Sequence, residues 1–585
     1  MTMGPAVRGT FFSWLTRAKN NAIRPAWFGT MVVVYNLLGT FAPMKLCAQT
    51  SESATIGALT VVDVAELETY IERARQDWHV PGLAVAVVKD DRVVLSRGFG
   101  VREAETNSRV DEHTLFAIAS NSKAFTSAAL AILVDEGKIH WDDPVQKYLP
   151  WLTLQDGYAS RELTIRDLLC HRSGLGTFSG DLLWWGTSYT PKEVLQRAAK
   201  LKPASSFRSS YGYSNLMFLA AGQVIEVVSG QSWSEFVETR ILKRLGMDRT
   251  VTSTNQLLSQ GNYATPHKTV LPDQSLPLPW MNWDSMAAAG GIISSVHDMS
   301  HWIRLQLRHG AIETEQARLE QAADDRARAK SETGEKQARL FSVARSEDMW
   351  SAHMPIPTSA SQSQRFPSTH FRAYGLGWSL SDYLGRKIVG HGGGYDGMYS
   401  QVVLVPEENL GMVILTNSMT SISPAISYQI LDAYLGGPKK DWSEELLPIF
   451  IKSREKFDAQ VRDAITAVAS DTLPSHAWEA YVGKFRCPLY GDVSIDLAGN
   501  QLVISLLPYT KLTGRLEHLH YDTFVIRWDH THAWFDEGVA HFVANAKGQF
   551  DRLELYVPND DLWFHELDLH RVRDGSETND QADKS

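Results

Sequence analysis

Cysteine, clustered basic residues and long apolar runs are scarce in this sequence, and each scarcity excludes a class of protein. Only 3 of the 585 residues are cysteine and no Cys-x-x-Cys pair occurs, so neither a disulfide scaffold nor a zinc ribbon is expected. The net charge is −10, whereas recognition of nucleic-acid phosphates needs a basic surface. We therefore expect no nucleic-acid partner, and two or three globular domains that fold by packing alone.

Acidic residues are absent from the amino-terminal segment before Glu52, where several basic residues precede an apolar run from Met31 to Ala42. This order is typical of a cleaved secretory signal, and about twelve apolar residues are fewer than the roughly 20 that span a bilayer. We predict a signal peptide over residues 1–48, no stable membrane span, and a periplasmic or secreted location. Translation from Met31 or Met44 would instead leave the protein in the cytoplasm.

Apolar periodicity defines a first domain over residues 60–440. An amphipathic helix is predicted over Val64 to Asp77, and apolar runs at Gly82 to Val88 and Val93 to Gly100 flank a four-residue turn, as in a β-hairpin. Helical patterns then dominate until strand-like runs return between Lys387 and Asn417. Strands at both ends of a domain with helices between them indicate an α+β fold, an α/β sandwich whose sheet joins the two ends.

Four further segments differ from this domain in composition. Residues 311–340 form a charged insertion, for which a solvated helix is expected, and residues 441–469 indicate a helical connector. Short alternating segments then predict a small antiparallel β-barrel or sandwich over 470–572, followed by a disordered tail at 573–585. The strand-like segments are Val493 to Asp496, Gln501 to Leu507, Thr523 to Trp528, Ala540 to Asn545, Arg552 to Val557 and Trp563 to Asp568.

A serine and a lysine three residues apart stand where a strand-like region gives way to a helical pattern, at Ser120-Asn121-Ser122-Lys123. If Ser120 lies at the helix start, one turn of helix brings the Lys123 amine within reach of the serine oxygen. The helix start also directs free N–H groups and partial positive charge toward that oxygen. These features predict a nucleophilic serine, although an N-cap serine beside a surface lysine has the same sequence.

Two more motifs follow in order, Tyr213-Ser-Asn215 at the start of a helical pattern and His391-Gly-Gly-Gly394 directly after a strand-like run. Together with the Ser-x-x-Lys motif, they resemble the active-site motifs of the serine β-lactamase-like hydrolases. The resemblance spans about residues 65 to 435 and is to the branch that contains class C β-lactamases, D-amino-acid peptidases and related esterases. The last domain resembles the lipocalin-like barrels that follow this catalytic domain in some of those peptidases.

The resemblance implies roles for three residues in proton transfer. Ser120 would be the nucleophile, and Lys123 would be the amine that helps to deprotonate it. Tyr213 would be the general base and acid that passes a proton to the leaving group. A tyrosine acts as a base near neutral pH only if its pKa is depressed, and a neighbouring ammonium has that effect. Neither a metal nor a cofactor is implied.

The resemblance also implies residues that hold the substrate. Asn215 would bind the substrate through its amide, and His391 would be a polar group on an edge strand. The oxyanion hole would join the backbone N–H of Ser120 to that of Gly393 or Gly394, where the missing side chain permits close approach. Most β-lactamases carry lysine at the position of His391, and a histidine is a weaker anchor for a carboxylate. Peptidase or esterase activity is therefore favoured over β-lactamase activity.

Other interpretations of the same residues are weaker. His391-Gly-Gly-Gly394 also matches the oxyanion motif of α/β-hydrolase lipases, but no Gly-x-Ser-x-Gly nucleophile motif follows it. We predict a serine hydrolase that cleaves amide bonds of small or unusual peptides through an acyl-enzyme on Ser120. The alternatives are a carboxylesterase or weak β-lactamase of the same fold, and a catalytically silent module that binds a ligand. Oligomeric state is not predicted.

Overall fold

The computed structural model describes residues 62–270, 274–312, 338–466, 468–469 and 471–573. The predicted signal peptide, most of the charged insertion and nearly all of the polar tail lie outside the described residues. All described residues belong to one compact unit of the chain, Val61–Ser585. Among them, no helix combines the length and the apolar character needed to cross a bilayer.

An antiparallel sheet of eight strands joins the two ends of the first domain, as predicted. Its strand order is β2-β1-β12-β11-β10-β9-β8-β7, while β3 pairs with β6 and β4 pairs with β5 in two small sheets. The strands are β1 (Gly82–Lys89), β2 (Arg92–Gly100), β3 (Phe116–Ala117), β4 (His267–Val270), β5 (Gln274–Pro277), β6 (Ile293–Ser294), β7 (Met354–Pro355), β8 (Arg372–Tyr374), β9 (Ser379–Tyr383), β10 (Arg386–Tyr395), β11 (Met398–Val405) and β12 (Leu410–Thr416).

Both faces of this sheet are covered, which explains why β1 is a continuous apolar run rather than an alternating one. Successive side chains of a strand point to opposite faces. Val85 packs in a core that includes the helices Val64–Asp77 and Ile422–Leu435, and Ala86 packs in a second core that includes Val296–Leu307. The fold is therefore the predicted α/β sandwich, in which helices cover both faces of the antiparallel sheet.

The helix Val64–Asp77 has the predicted bounds, and its N-cap Asp63 accepts hydrogen bonds from the N–H groups of Ala65 and Glu66. Capping of this kind satisfies backbone donors that the first turn leaves free. The other α-helices of the described residues are Ser122–Asp135, Gly157–Glu162, Ile165–Leu169, Pro191–Ala198, Asn215–Ser229, Trp233–Val237, Lys243–Leu245, Leu257–Gln260, Ala287–Gly290, Val296–Leu307, Val343–Met349, Ala360–Arg365, Ile422–Leu435 and Trp442–Ala464.

The last part of the chain forms a closed antiparallel barrel. Closure leaves no unpaired strand edge. One predicted strand, Trp563 to Asp568, is wrong. This segment contains a 3-10 turn, Phe564–Glu566. It is apolar because Phe564 is buried against Trp528 and Phe535. The strands are β13 (Gly483–Cys487), β14 (Gly491–Ala498), β15 (Gln501–Leu506), β16 (Thr513–His520), β17 (Thr523–Trp528), β18 (Gly538–Ala544), β19 (Phe550–Tyr556) and β20 (Leu569–Arg571).

The barrel is hydrogen-bonded directly to the first domain. The Tyr509 hydroxyl donates to the Leu182 carbonyl at 2.6 Å. From the first domain, the buried Lys268 ammonium donates to the carbonyls of His532 and Phe535 at 2.7 and 3.0 Å. Buried polar groups are costly unless they are paired, so these bonds fix the position of the barrel loop between β17 and β18.

Candidate active site

Ser120 lies in a 3-10 turn, Ala119–Asn121, that runs directly into the helix Ser122–Asp135. Ala119 has a φ of 45°, in the left-handed region that is unfavourable for residues with a side chain. Such strain is commonly found at functional sites, because the surrounding structure must hold the residue in place. The turn places Ser120 on the wall of a cavity of about 280 Å³.

Lys123 lies one helical turn after Ser120, as the sequence spacing predicted, and its side chain is fully buried. Its Nζ lies 3.0 Å from Ser120 Oγ, 2.7 Å from Asn215 Oδ1 and 2.9 Å from the Ala289 carbonyl oxygen. Burial disfavours the charged amine and lowers the pKa of Lys123 to about 7. A substantial fraction of this amine is therefore neutral near neutral pH.

Asn215 begins the helix Asn215–Ser229 and connects the lysine to a carboxyl group. Its Nδ2 donates to Asp181 Oδ2 at 2.7 Å, and the Trp184 indole donates to the other carboxyl oxygen at 3.0 Å. Burial raises the pKa of Asp181 to about 7. Sequence reasoning missed Asp181, because it belongs to no motif and only the fold brings it to the site.

Tyr213 also faces the nucleophile. Its ring centroid lies 4.9 Å from Lys123 Nζ, and it lines the same cavity as Ser120. The expectation of a depressed tyrosine pKa is wrong in this structure: burial raises the pKa of Tyr213 well above its usual value. The Lys123 amine does not offset that burial, so the Tyr213 phenol is protonated near neutral pH.

His391 lies within β10, which continues from Arg386 to Tyr395 through the glycines instead of ending before the histidine. The strand is interior in the sheet, contrary to the expected edge strand, although β9 pairs with it only as far as Gly390. The His391 Nε2 lies 2.7 Å from the Tyr374 hydroxyl. Burial lowers the pKa of His391 to about 3, so the ring is neutral at physiological pH.

The two candidate oxyanion glycines occupy different positions. A Cβ on Gly393 would lie 2.3 Å from the Ile118 carbonyl oxygen and 3.0 Å from the Ser120 nitrogen, which shows how tightly β10 packs against the nucleophile turn. Gly394 lines the cavity together with Ser120, whereas Gly393 lies beneath the turn. A side chain at either position would meet close contacts, but of the two glycines it is Gly394 that lines the cavity.

His171 holds the tyrosine segment in place. Its Nδ1 accepts a hydrogen bond from the Ser214 N–H at 3.0 Å, and its ring centroid lies 4.2 Å from that of Tyr213 and 4.5 Å from that of Tyr374. Burial lowers the pKa of His171, so the ring is neutral. These contacts give His171 a structural position beside the tyrosines of the site.

The cavity wall is largely aromatic, and part of it comes from the barrel. Phe178, Trp184 and Trp283 line it from the first domain. The barrel contributes Trp534, Asp561 and Leu562, a contribution that sequence reasoning missed because it arises only from domain packing. In the part of the chain that the structure describes, no group of three His, Cys, Asp or Glu side chains is arranged to hold a metal ion.

Comparison with known proteins agrees with this geometry. The sequence model of the family described as "Beta-lactamase" matches residues 67–435, more than half of the chain. The chain belongs to the β-lactamase family. It is a serine hydrolase of that family, as the three motifs predicted. A second model, for a domain of unknown function (DUF3471), matches residues 468–571, which include the barrel.

Several relatives of this β-lactamase family member resemble it over most of their length. Unguisins hydrolase ungD' of Aspergillus campestris is 28% identical over 462 residues, covering 74% of this chain and 77% of that protein. Protein flp of Staphylococcus aureus is 25% identical over 372 residues, covering 62% and 64%. The octameric penicillin-binding protein homologue from Pyrococcus abyssi has the same fold, with a TM-score of 0.55, 22% identity, and coverage of 85% of this chain and 98% of that one.

Proposed function

We propose that this enzyme cleaves amide bonds of small peptides or amino-acid amides through an acyl-enzyme on Ser120. The observation that carries the proposal is the set of contacts around Lys123, which is buried and touches Ser120, Asn215 and the Ala289 carbonyl. A nucleophile beside a base that a third group orients is the usual arrangement of covalent hydrolysis.

The contacts of Lys123 make it the general base. A neutral amine has two N–H donors and one lone pair, and both Asn215 Oδ1 and the Ala289 carbonyl can only accept hydrogen bonds. The two N–H groups therefore point to these oxygens, and the lone pair is left for the Ser120 hydroxyl at 3.0 Å. This geometry suits removal of the serine proton as the oxygen attacks a carbonyl carbon.

Tyr213 supplies a proton to the leaving group. Attack forms the Ser120 ester and breaks the C–N bond, so the departing nitrogen needs one proton. The protonated Tyr213 phenol gives that proton and takes one in return from the Lys123 ammonium formed during attack, which restores both residues. Water then attacks the ester carbonyl while Lys123 takes its proton. The bond between the carbonyl carbon and Ser120 Oγ breaks, Lys123 returns the proton to Oγ, and the carboxylic acid leaves, which restores both residues.

Backbone N–H groups stabilise the oxyanion. Ser120 lies at a turn before a helix, where N–H groups and the positive end of the helix dipole favour negative charge. Gly394 is the second donor that the cavity lining favours, since it faces the same space as Ser120. Preorganised donors of this kind stabilise a tetrahedral intermediate without rearrangement during the reaction.

The substrate class follows from the charge and shape of the site. Because His391 is neutral, it gives a β-lactam carboxylate no fixed positive charge, which makes a β-lactam a poor substrate. A second cavity of about 720 Å³ shares Tyr399, Trp534 and Asp561 with the first, so a chain longer than one residue has room beyond the nucleophile. The hydrolase named for unguisins supports activity on amide-containing compounds.

A substrate panel with Ser120→Ala tests the proposal. We expect the wild-type enzyme to hydrolyse amino-acid nitroanilides and to be labelled by a fluorophosphonate, and Ser120→Ala to lose both. Ser209→Ala replaces an exposed serine that takes part in none of these contacts and is the matched control, expected to match wild type. Turnover of nitrophenyl esters alone would identify an esterase, and turnover of a chromogenic cephalosporin alone a β-lactamase. Retained turnover in Ser120→Ala, or no labelling of wild type, would refute the mechanism.

A further inference from the structure

The barrel inserts a carboxyl group into the catalytic cavity. Asp561 lies in the segment between β19 and β20 and lines the cavity of about 280 Å³ that Ser120, Tyr213 and Asn215 also line. Asp561 is thus a carboxyl group from the second domain that shares a cavity with the nucleophile of the first.

The segment that carries Asp561 is held firmly. The Asn559 side-chain oxygen accepts hydrogen bonds from the N–H groups of Asp561 and Leu562 at 3.1 and 2.5 Å. Further along, the Glu566 carboxylate accepts hydrogen bonds from the Ser179 hydroxyl at 2.5 Å and the Gly180 N–H at 3.1 Å, both in the first domain. Asp561 is therefore preorganised at the site rather than carried by a free loop.

The Asp561 carboxylate has no partner among the described residues. Only its backbone N–H is hydrogen-bonded, whereas the other carboxyl group on this cavity wall, Asp181, is paired with Asn215 and Trp184. Burial and, after it, the charge of the neighbouring Asp560 raise the pKa of Asp561 to about 7. No described lysine or arginine lines this cavity, and the basic residues Lys268, Arg365, Arg454 and Lys456 line the second cavity, which Asp561 also borders. A carboxylate that is only partly exposed to solvent and has no partner is costly, and a positively charged group of the substrate would remove that cost.

The rest of the cavity indicates what carries the positive charge. Its aromatic side chains suit an apolar group, and ring faces also attract an ammonium. Asp561 and Ser120 line the same cavity of about 280 Å³, so a cation held at Asp561 shares that cavity with the carbonyl that Ser120 attacks. In an amino-acyl substrate the cation nearest to this carbonyl is the α-amino group of the same residue.

We infer that Asp561 of the barrel binds the free amino group of the substrate residue whose carbonyl is attacked by Ser120. This inference rests on the proposed function and adds to it: the enzyme selects amino-acid amides and peptides with a free amino terminus over their N-acylated forms. The barrel is thereby part of the specificity site, and Asp561 is a substrate-binding residue.

A matched pair of substrates tests the inference. Phenylalanine nitroanilide and its N-acetyl form, each as both enantiomers, differ in the charge of the amine and in one acetyl group, and the Asp561→Asn variant separates the effect of charge from that of size. We expect wild type to prefer the free amine at least tenfold in kcat/KM, and Asp561→Asn to reduce this preference to near unity through a higher KM for the free amine. Asp568→Asn changes a largely exposed carboxylate on the same segment and keeps the wild-type preference.

Two results would overturn the inference: no preference in wild type, or an equal loss for both substrates in Asp561→Asn, which would show a merely structural role. Calorimetry on Ser120→Ala with phenylalaninamide and N-acetylphenylalaninamide measures amine recognition without turnover. If wild type turns over no substrate, the proposed function fails. Tighter binding of the free amine by at least tenfold, abolished by adding Asp561→Asn, would still support the inference, and equal binding would refute it.

Discussion

Ionisation of Lys123 gives the proposed mechanism a pH dependence of defined direction. Burial lowers the pKa of Lys123 to about 7, and only the neutral amine accepts the Ser120 proton. We therefore expect kcat/KM to be highest above about pH 7 and to fall tenfold per pH unit below it. At about pH 5 roughly 1% of the amine is neutral, so activity should be about 100-fold below the plateau.

Two variants should change the fall of kcat/KM below about pH 7, the acid limb of the pH–rate profile, in different ways. Lys123→Arg replaces the amine with a group that stays protonated, so we expect a loss of about 100- to 10,000-fold at every pH, the usual contribution of a general base. Asp181→Asn removes a carboxyl group whose charge raises the pKa of Lys123. The midpoint of the limb should then move to lower pH, with more activity retained at about pH 6.

The assay is kcat/KM between about pH 5 and 9 on a neutral nitrophenyl ester, so that charge recognition at Asp561 does not enter. Ser209→Ala is the control. The reasoning is refuted if wild type shows no acid limb near pH 7, or if Lys123→Arg keeps wild-type activity. A limb that disappears in Asp181→Asn, instead of moving, would assign the titration to Asp181 and also contradict it.

Two further predictions concern β10. Gly393→Ala places a methyl group against the Ile118 carbonyl and the Ser120 nitrogen, so we expect about 1–3 kcal/mol of destabilisation in thermal unfolding and at least a tenfold loss of kcat/KM. The control Gly157→Ala, whose added methyl group has its nearest contact at 3.6 Å, should change neither quantity. Equal behaviour of the two variants would contradict this prediction. Burial holds the pKa of His391 near 3, so His391→Gln should lower activity but leave the midpoint of the pH dependence of kcat/KM near 7. A shifted midpoint in the pH–rate profile would show that the histidine titrates there.

Local signals in the sequence predicted the parts of the fold that depend on neighbouring residues. The helix Val64–Asp77 was predictable to the residue, because its apolar stripe and its Asp63 cap lie within one short segment. The contact of Lys123 with Ser120 followed from one turn of helix. Alternation of apolar residues likewise predicted most strands of the barrel, since each strand has one buried face.

The same reasoning failed where the local structure depends on contacts with residues that are distant in the sequence. The strand β10 continues through three glycines, because pairing with β11 and packing on the turn at Ser120 hold residues that have little strand propensity of their own. The segment Trp563 to Asp568 has a strand-like composition, yet it forms a turn that packs against the other domain. Apolar composition indicates burial, but it does not indicate which partner buries a segment.

The sequence by itself determined the family, the fold class and the identities of Ser120, Lys123, Tyr213 and His391 as site candidates, because these are properties of ordered motifs and periodicity. Only the tertiary structure decided their ionisation. Desolvation by residues far apart in the chain lowers the pKa of Lys123, raises that of Tyr213 and keeps His391 neutral. Domain packing likewise placed Asp561 in the cavity of Ser120, a juxtaposition that no local pattern contains.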